Sequence, residues 1–74
     1  DAEPHYHKKM VECYTILEGE GDLELDGQRI HVRPLDTVMI RPGCVHRPIG
    51  PLKILNVAIP GVDPEDEYLA STPL

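Results

Sequence analysis

The chain alternates short apolar runs with turn residues at intervals of roughly six to ten positions, the signature of short antiparallel strands. Residues 10–18 are rich in Val, Tyr, Thr, Ile and Leu. A strand there puts Glu12, Tyr14 and Ile16 on one face and Cys13, Thr15 and Leu17 on the other. Leu23 and Leu25 then alternate with Glu24 and Asp26, and Asp26-Gly27 suits a two-residue hairpin whose central residues both need positive φ. The return strand, residues 28–33, is expected to bury Ile30 and Val32. A strand over residues 37–41 carries Val38 and Ile40 on one face. Residues 52–59 form the longest apolar run and read as a buried strand that Pro60 and Gly61 end. Beyond it, Asp63 followed by Pro64 reads as a helix start. A short helical turn is expected over residues 64–69, with Asp63, Glu65, Asp66 and Glu67 as a solvated cap. The pattern predicts one all-β domain over residues 1–74, an antiparallel sandwich or barrel.

Composition sharpens this. With no Trp and no Phe, the core must come from Leu, Ile, Val, Met and three Tyr. A domain near this size buries only about 60% of the surface its unfolded chain exposes, so a metal and a partner subunit together are expected to support it. Acidic residues outnumber basic ones 13 to 7 for a net charge of -6, which argues against nucleic acid as a partner. No apolar run approaches the roughly 20 residues needed to span a bilayer, so no membrane partner is expected. Two cysteines, Cys13 and Cys44, lack the spacing of a zinc knuckle. As free thiols they fit a cytoplasmic protein better than a secreted one, and the polar opening residues read as no signal peptide.

The chemistry concentrates in two stretches. His5 and His7 lie two apart, so an extended segment aims both imidazoles the same way. A short turn at Lys8 and Lys9 can then bring Glu12 to them from the next strand, and His46 adds a fourth ligand. Three imidazoles and one carboxylate suit one divalent transition metal, whether iron, manganese, nickel, zinc or copper, and do not suit calcium. Ligands of this kind must be deprotonated, so metal is expected to be lost below the histidine pKa.

These residues resemble the two motifs of the cupin superfamily. The first motif, over residues 5–19, is a His-x-His pair, a Glu and a Gly, here His5, His7, Glu12 and Gly19. The second, over residues 35–50, appears as Leu35, Asp36, the strand through Ile40, Pro42, Gly43 and His46. Three positions depart from it: Leu35 stands for a Gly, Arg41 for a Pro and Gly50 for an Asn. All three concern loop shape rather than ligation. The strand of residues 52–59 and an acidic tail, residues 60–74, complete the chain. The resemblance implies an antiparallel jelly-roll barrel with the metal inside. Its members include dioxygenases, isomerases, epimerases, decarboxylases, sugar-binding proteins and storage proteins, and the fold does not select among them. Members usually have strands before the first motif, and this chain has almost none. Either the chain is a truncated piece, or a partner supplies the missing edge, which predicts a homodimer pairing strands across a two-fold axis.

Other residues take bounded roles. Tyr14 shares the face of Glu12 and offers a hydroxyl to a bound ligand, or packs in the core. Ile16, Val38 and Ile40 are expected to form an apolar wall, and Met10 and Met39 to pack in the core. His31 faces away from Ile30 and Val32, toward solvent or an interface. Cys13 points away from the site, while Cys44 sits in the mouth loop as a plain or reactive thiol. Arg41 and Arg47 flank the second motif and read as solvated arginines that could also hold an anionic substrate, and Asn56 could line the pocket. The functional readings are a mononuclear metalloenzyme of dioxygenase-like or sugar isomerase-like type acting on a small molecule, a non-catalytic sugar-binding domain with a structural metal, and a metal that serves stability alone.

Overall fold

A computed structural model describes residues 3–70; Asp1, Ala2 and residues 71–74, the end of the expected tail, lie outside the described residues. Eight strands run in order: β1 (His5–Tyr6), β2 (Val11–Glu18), β3 (Gly21–Leu25), β4 (Gln28–Val32), β5 (Thr37–Ile40), β6 (His46–Ile49), β7 (Lys53–Ile59) and β8 (Tyr68–Leu69). They build a five-stranded sheet in the order β4-β3-β6-β1-β8 and a three-stranded sheet in the order β5-β2-β7, and every pairing is antiparallel. The chain is an all-β jelly roll, and among the described residues no helix is long and apolar enough to cross a membrane.

Alternation sets the core. Along β2, Glu12, Tyr14 and Ile16 are buried while Val11, Cys13 and Thr15 between them are half-buried. Tyr14, Ile16, Leu23, Val32 and Ile40 pack together, with Val38, Cys44 and Ile54 against them. The β3–β4 hairpin turns on Asp26 (φ 48°) and Gly27 (φ 84°), the positive pair that this turn requires. The Asp26 carboxylate also accepts the Val45 amide at 2.9 Å, tying the hairpin to the loop that leads into β6.

Two turns around the motifs follow backbone sterics. Gly19 has φ 87°, and a Cβ there would lie 1.9 Å from the Pro51 carbonyl oxygen, so only glycine fits. Leu35 takes φ 77° with its side chain 87% exposed. The turn shape is kept by a leucine in the left-handed region, which a glycine would occupy without strain.

Several expectations need correction. The apolar run of residues 52–59 is a strand but not a buried one: Leu55, Val57 and Ile59 are 51%, 50% and 54% exposed. β7 edges the small sheet and only one of its faces meets the opposite sheet, so the two-residue period sends alternate side chains outward. Ile30 shares the inward face with Val32 and pairs with Leu23, but it lies on β4 at the end of the large sheet, where cover from the opposite sheet runs out, and is 39% exposed; Met39 is 60% exposed rather than packed in the core.

The expected helical turn over residues 64–69 is not formed. Asp63 caps a tight turn instead, its carboxylate accepting the Glu65 amide and its carbonyl the Asp66 amide, both at 3.0 Å. The chain then enters β8, which pairs with β1. Six residues fall well short of the roughly 12–15 at which an isolated helix becomes even marginal, so pairing with an open strand edge wins. The edge beside β1 is therefore covered from within the chain.

Candidate metal centre

The fold brings His5, His7, Glu12 and His46 together, with one ligand atom of each within 4.8 Å of all the others. His5 lies on β1 and His46 opens β6, and the two are register partners in the large sheet. His7 follows β1 directly, and its carbonyl accepts the Gly43 amide at 2.6 Å, which locks the two motif loops together. Glu12 comes from β2 in the small sheet, opposite Ile40 and Ala58. Its chain reverses at Lys8 and Lys9, as the sequence suggests.

Each imidazole is oriented from behind. His5 Nδ1 donates to the Glu3 carbonyl and His46 Nδ1 to the Cys44 carbonyl, both at 2.9 Å, and His7 Nδ1 donates to the Asp66 carbonyl. A carbonyl can only accept, so the proton sits on Nδ1 and the neutral ring turns a bare Nε2 toward the cluster. Glu12 Oε1 lies 2.8 Å from His7 Nε2 and 3.0 Å from His46 Nε2. The other oxygen, Oε2, accepts a 2.6 Å hydrogen bond from Asn56 Nδ2. Three buried acceptors, His7 Nε2, His46 Nε2 and Glu12 Oε1, thus converge with no donor among them. Burial pushes the His46 pKa below its ordinary value, which opposes relief by a proton. The donor set is compatible with a transition-metal site.

A cavity of about 260 Å³ opens from this cluster, lined by His5, His7, Glu12, Tyr14, Asn56 and Glu67 among others. Tyr14 is buried with its ring edge-on to His46. Burial first, then the Glu12 and Glu67 carboxylates, push its pKa up, so the phenol keeps its proton and can donate. Met10 is buried and also reaches the cavity wall. Ile16, Val38 and Ile40 belong to the core rather than to the cavity lining.

Asp66 was hidden in the acidic run expected as a solvated cap, and that expectation fails for it. It is 2% exposed, and its carboxylate accepts the backbone amides of Lys8, Lys9 and Met10 at 2.9, 3.0 and 3.1 Å. Burial works to raise its pKa, but the three amides outweigh that and hold it below the ordinary value. One residue thereby fixes the turn between His7 and Glu12 with its side chain and orients His7 with its carbonyl. In sequence, the only available cue was an Asp two residues after a turn-forming Pro, which does not separate a capping role from a structural one.

The remaining candidates sit elsewhere. Arg47 pairs with Glu24, Nε to Oε1 at 3.2 Å, Arg41 is exposed, and neither lines the cavity, which fits arginines facing solvent rather than an anion-holding role. Cys13 faces outward on β2 and is half-buried. The Cys44 thiol is half-buried against the core, and burial and then Asp26 push its pKa up, which argues against a reactive thiol. Its carbonyl, not its sulfur, serves the site. His31 is exposed between Glu20 and Asp22, whose hydrogen bonds at 2.6 and 3.1 Å raise its pKa.

Known proteins share this sequence pattern and fold. The family model described as the cupin domain matches residues 1–58. An uncharacterised protein of Methanocaldococcus jannaschii is 41% identical over 66 residues, covering 84% of this chain and 53% of that protein. A second, from Aquifex aeolicus, is 37% identical over 43 residues, covering 58% of this chain and 36% of its own. The chain thus spans about half the length of the first curated relative and about a third of the second. Among solved structures, a protein from Planctomyces limnophilus superposes with a TM-score of 0.86 at 33% identity over 93% of this chain and 62% of that one. Pac13, a nucleoside dehydratase, gives a TM-score of 0.86 at 15% identity, covering 92% of this chain and 57% of Pac13, a likeness of fold alone. With the family model spanning most of its length and both motifs folded around one cluster, the chain belongs to the cupin family.

Proposed function

We propose that His5, His7, Glu12 and His46 hold one divalent transition metal and that the domain is a mononuclear metalloenzyme acting on a small molecule. One observation carries this reading: three buried acceptor atoms face one another at hydrogen-bond distance with no donor between them. Lone pairs packed in this way repel unless a cation lies among them. Iron, manganese, nickel, zinc and copper all accept such a ligand set, and a six-coordinate ion would keep about two positions for water, substrate or O₂. When bound, such an ion supplies Lewis-acid polarisation or O₂ binding, which supports dioxygenase-like or sugar isomerase-like chemistry. Around it, Tyr14 lines the cavity with a hydroxyl able to donate to a bound ligand, and Asn56 holds Glu12 in place. Elemental analysis of the protein as purified, followed by metal titration of chelated protein, tests the reading. About one equivalent per chain is expected, and a chain that takes up none of these metals would overturn it. O₂ consumption by the Fe(II)-loaded protein against diols and diketones then separates the oxygenase from the isomerase.

A second reading, a sugar-binding domain with a structural metal, draws on the joining of both sheets by the cluster, the place for a cross-brace. Thermal shift against a sugar panel with no turnover would favour it. As partner, we propose a second copy of the chain. β5 and β7 each have an open edge among the described strands, and Met39, Leu55, Val57 and Ile59 on the outer face of the small sheet are at least half exposed. Light scattering is expected to give a dimer that Val57→Glu converts to a monomer; a monomeric wild type removes this proposal. Two free thiols support a reducing, cytoplasmic setting.

A further inference from the structure

We propose that the cavity selects a small ligand that carries a hydroxyl or ammonium donor and no anionic group, with Glu67 as the specificity-determining residue. This rests on the metal reading above and names the substrate class of the same site. Three carboxylates, Glu12, Asp63 and Glu67, line the cavity, and no Lys or Arg does so among the described residues. Two cations on the motif segments are engaged elsewhere. The Lys8 ammonium lies over the Tyr68 ring, 4.3 Å from its centroid, and Arg47 pairs with Glu24. A divalent ion would neutralise two of the three carboxylates, which leaves the loaded cavity negative. The walls also hold buried, unpartnered polar atoms, His7 Nε2 and Glu12 Oε1, which the metal would claim, so the cavity opens onto a built site rather than a chance acidic surface.

Glu67 is the carboxylate free to read the ligand. Glu12 is committed to Asn56 and to the metal cluster, and Asp63 to the turn amide of Glu65. The Glu67 Oε1 atom lies 3.7 Å from His5 Nε2 with its side chain 56% exposed, so it stands at the rim beside the ligand cluster and accepts donors from solution. It is held there because the neighbouring Asp66 is pinned under the turn and Tyr68 pairs with Tyr6 in the sheet. Tyr14 lines the same cavity and offers a proton donor. A ligand presenting an acceptor to Tyr14 and a donor to Glu67 satisfies both; a phosphate or carboxylate at the Glu67 end meets like charge.

Three matched three-carbon probes test this against zinc-loaded protein: glycerol, 3-aminopropane-1,2-diol and glycerol 3-phosphate, with dissociation constants from ligand-observed NMR at low salt. The aminodiol is expected to bind tightest and the phosphate weakest, with about a tenfold or larger gap between them. Glu67→Gln is expected to narrow that gap about five- to tenfold, whereas Glu18→Gln, which removes the same charge from the far end of β2, leaves it unchanged. Equal binding of phosphate and aminodiol by metal-loaded wild type, no binding of any probe, or an equal response to Glu18→Gln each overturns the proposal while the metal reading stands. Failure to take up zinc at all is detected first, by elemental analysis, and overturns both.

Discussion

Replacing Glu12 with Gln should separate the stability of the metal-free chain from its affinity for metal, and should move the two in opposite directions. In the metal-free protein, Glu12 Oε1 meets the bare Nε2 atoms of His7 and His46 at 2.8 and 3.0 Å, acceptor against acceptor. The amide is nearly isosteric. Its carbonyl can keep the Asn56 hydrogen bond while its NH₂ group donates to both imidazoles. Two new buried hydrogen bonds at a net value of about 0.5–1.5 kcal/mol each stabilise the metal-free fold by about 1–3 kcal/mol. For a domain of this size that raises the melting temperature by about 4–24 °C. The same change removes the only anionic ligand and fills the cation's place with amide hydrogens. Calorimetry of chelated protein, with and without excess zinc, gives both answers. Metal-free Glu12→Gln is expected to melt above metal-free wild type, and zinc to raise only the wild type. If the variant melts lower than wild type and still responds to zinc, the three-acceptor argument is wrong.

Further expectations follow from the surroundings of the cluster. Asp66→Asn should weaken metal affinity about 10–100-fold in a chelator competition assay, because the turn that aims His7 loses its charged anchor; unchanged affinity would show that the anchor does not reach the site. The lowered pKa of His46 means the unfolded chain takes up the proton first as pH falls through the ordinary value of 6.5, so metal-free stability should fall from pH 7.5 toward pH 5. His31, whose pKa is raised, contributes the opposite way: its stabilisation is full below that ordinary value and lost as pH rises through the folded one. The fall should therefore be steeper in a His31→Gln background, and a flat profile there would contradict it. Leu35→Gly should raise stability by about 0.5–1 kcal/mol in urea melts, since it relieves a left-handed leucine whose side chain buries almost nothing. Tyr14→Phe should leave zinc uptake and melting temperature nearly unchanged but abolish ligand binding or turnover, and retention of both would remove Tyr14 from the site.

Legibility in the sequence divided along the range of the interactions. The hairpin at Asp26-Gly27, the alternation of β2 and the two ligand motifs depend on neighbours a few positions apart, so the string of residues carries them. Cys13 and Tyr14 could be assigned to opposite faces for the same reason. Which strand lies at an edge is not local. Residues 52–59 look like an interior strand, and only the packing of the small sheet, by one face alone, leaves half of their side chains in solvent. Asp66 was missed because it reaches back 56 to 58 positions to Met10, Lys9 and Lys8, and nothing near it in sequence distinguishes it from Glu65 or Glu67. The second motif tolerated Leu35 because a turn demands a φ value, not a residue type, and an exposed leucine can adopt it at a cost.

The placement of the four ligands ties function to stability. His5 and His46 belong to the large sheet and Glu12 to the small one, so a cation among them spans the interface between sheets whose shared core is five buried side chains. A ligand that binds only the folded state stabilises it by about 4 kcal/mol when present at a thousand times its dissociation constant, a large share of what so short a chain can muster. Loss of activity on changing His5, His7, Glu12 or His46 would therefore not distinguish a catalytic metal from a bracing one, since either role fails when the sheets part. The discriminating positions are those that line the cavity without belonging to the cluster. Tyr14 and Glu67 touch the space where a small molecule would lie, and changing either leaves the brace intact. If those two variants keep the metal and lose the ligand, the barrel is a binding or catalytic cavity built on a metal; if they lose nothing, the metal is there to hold two sheets together.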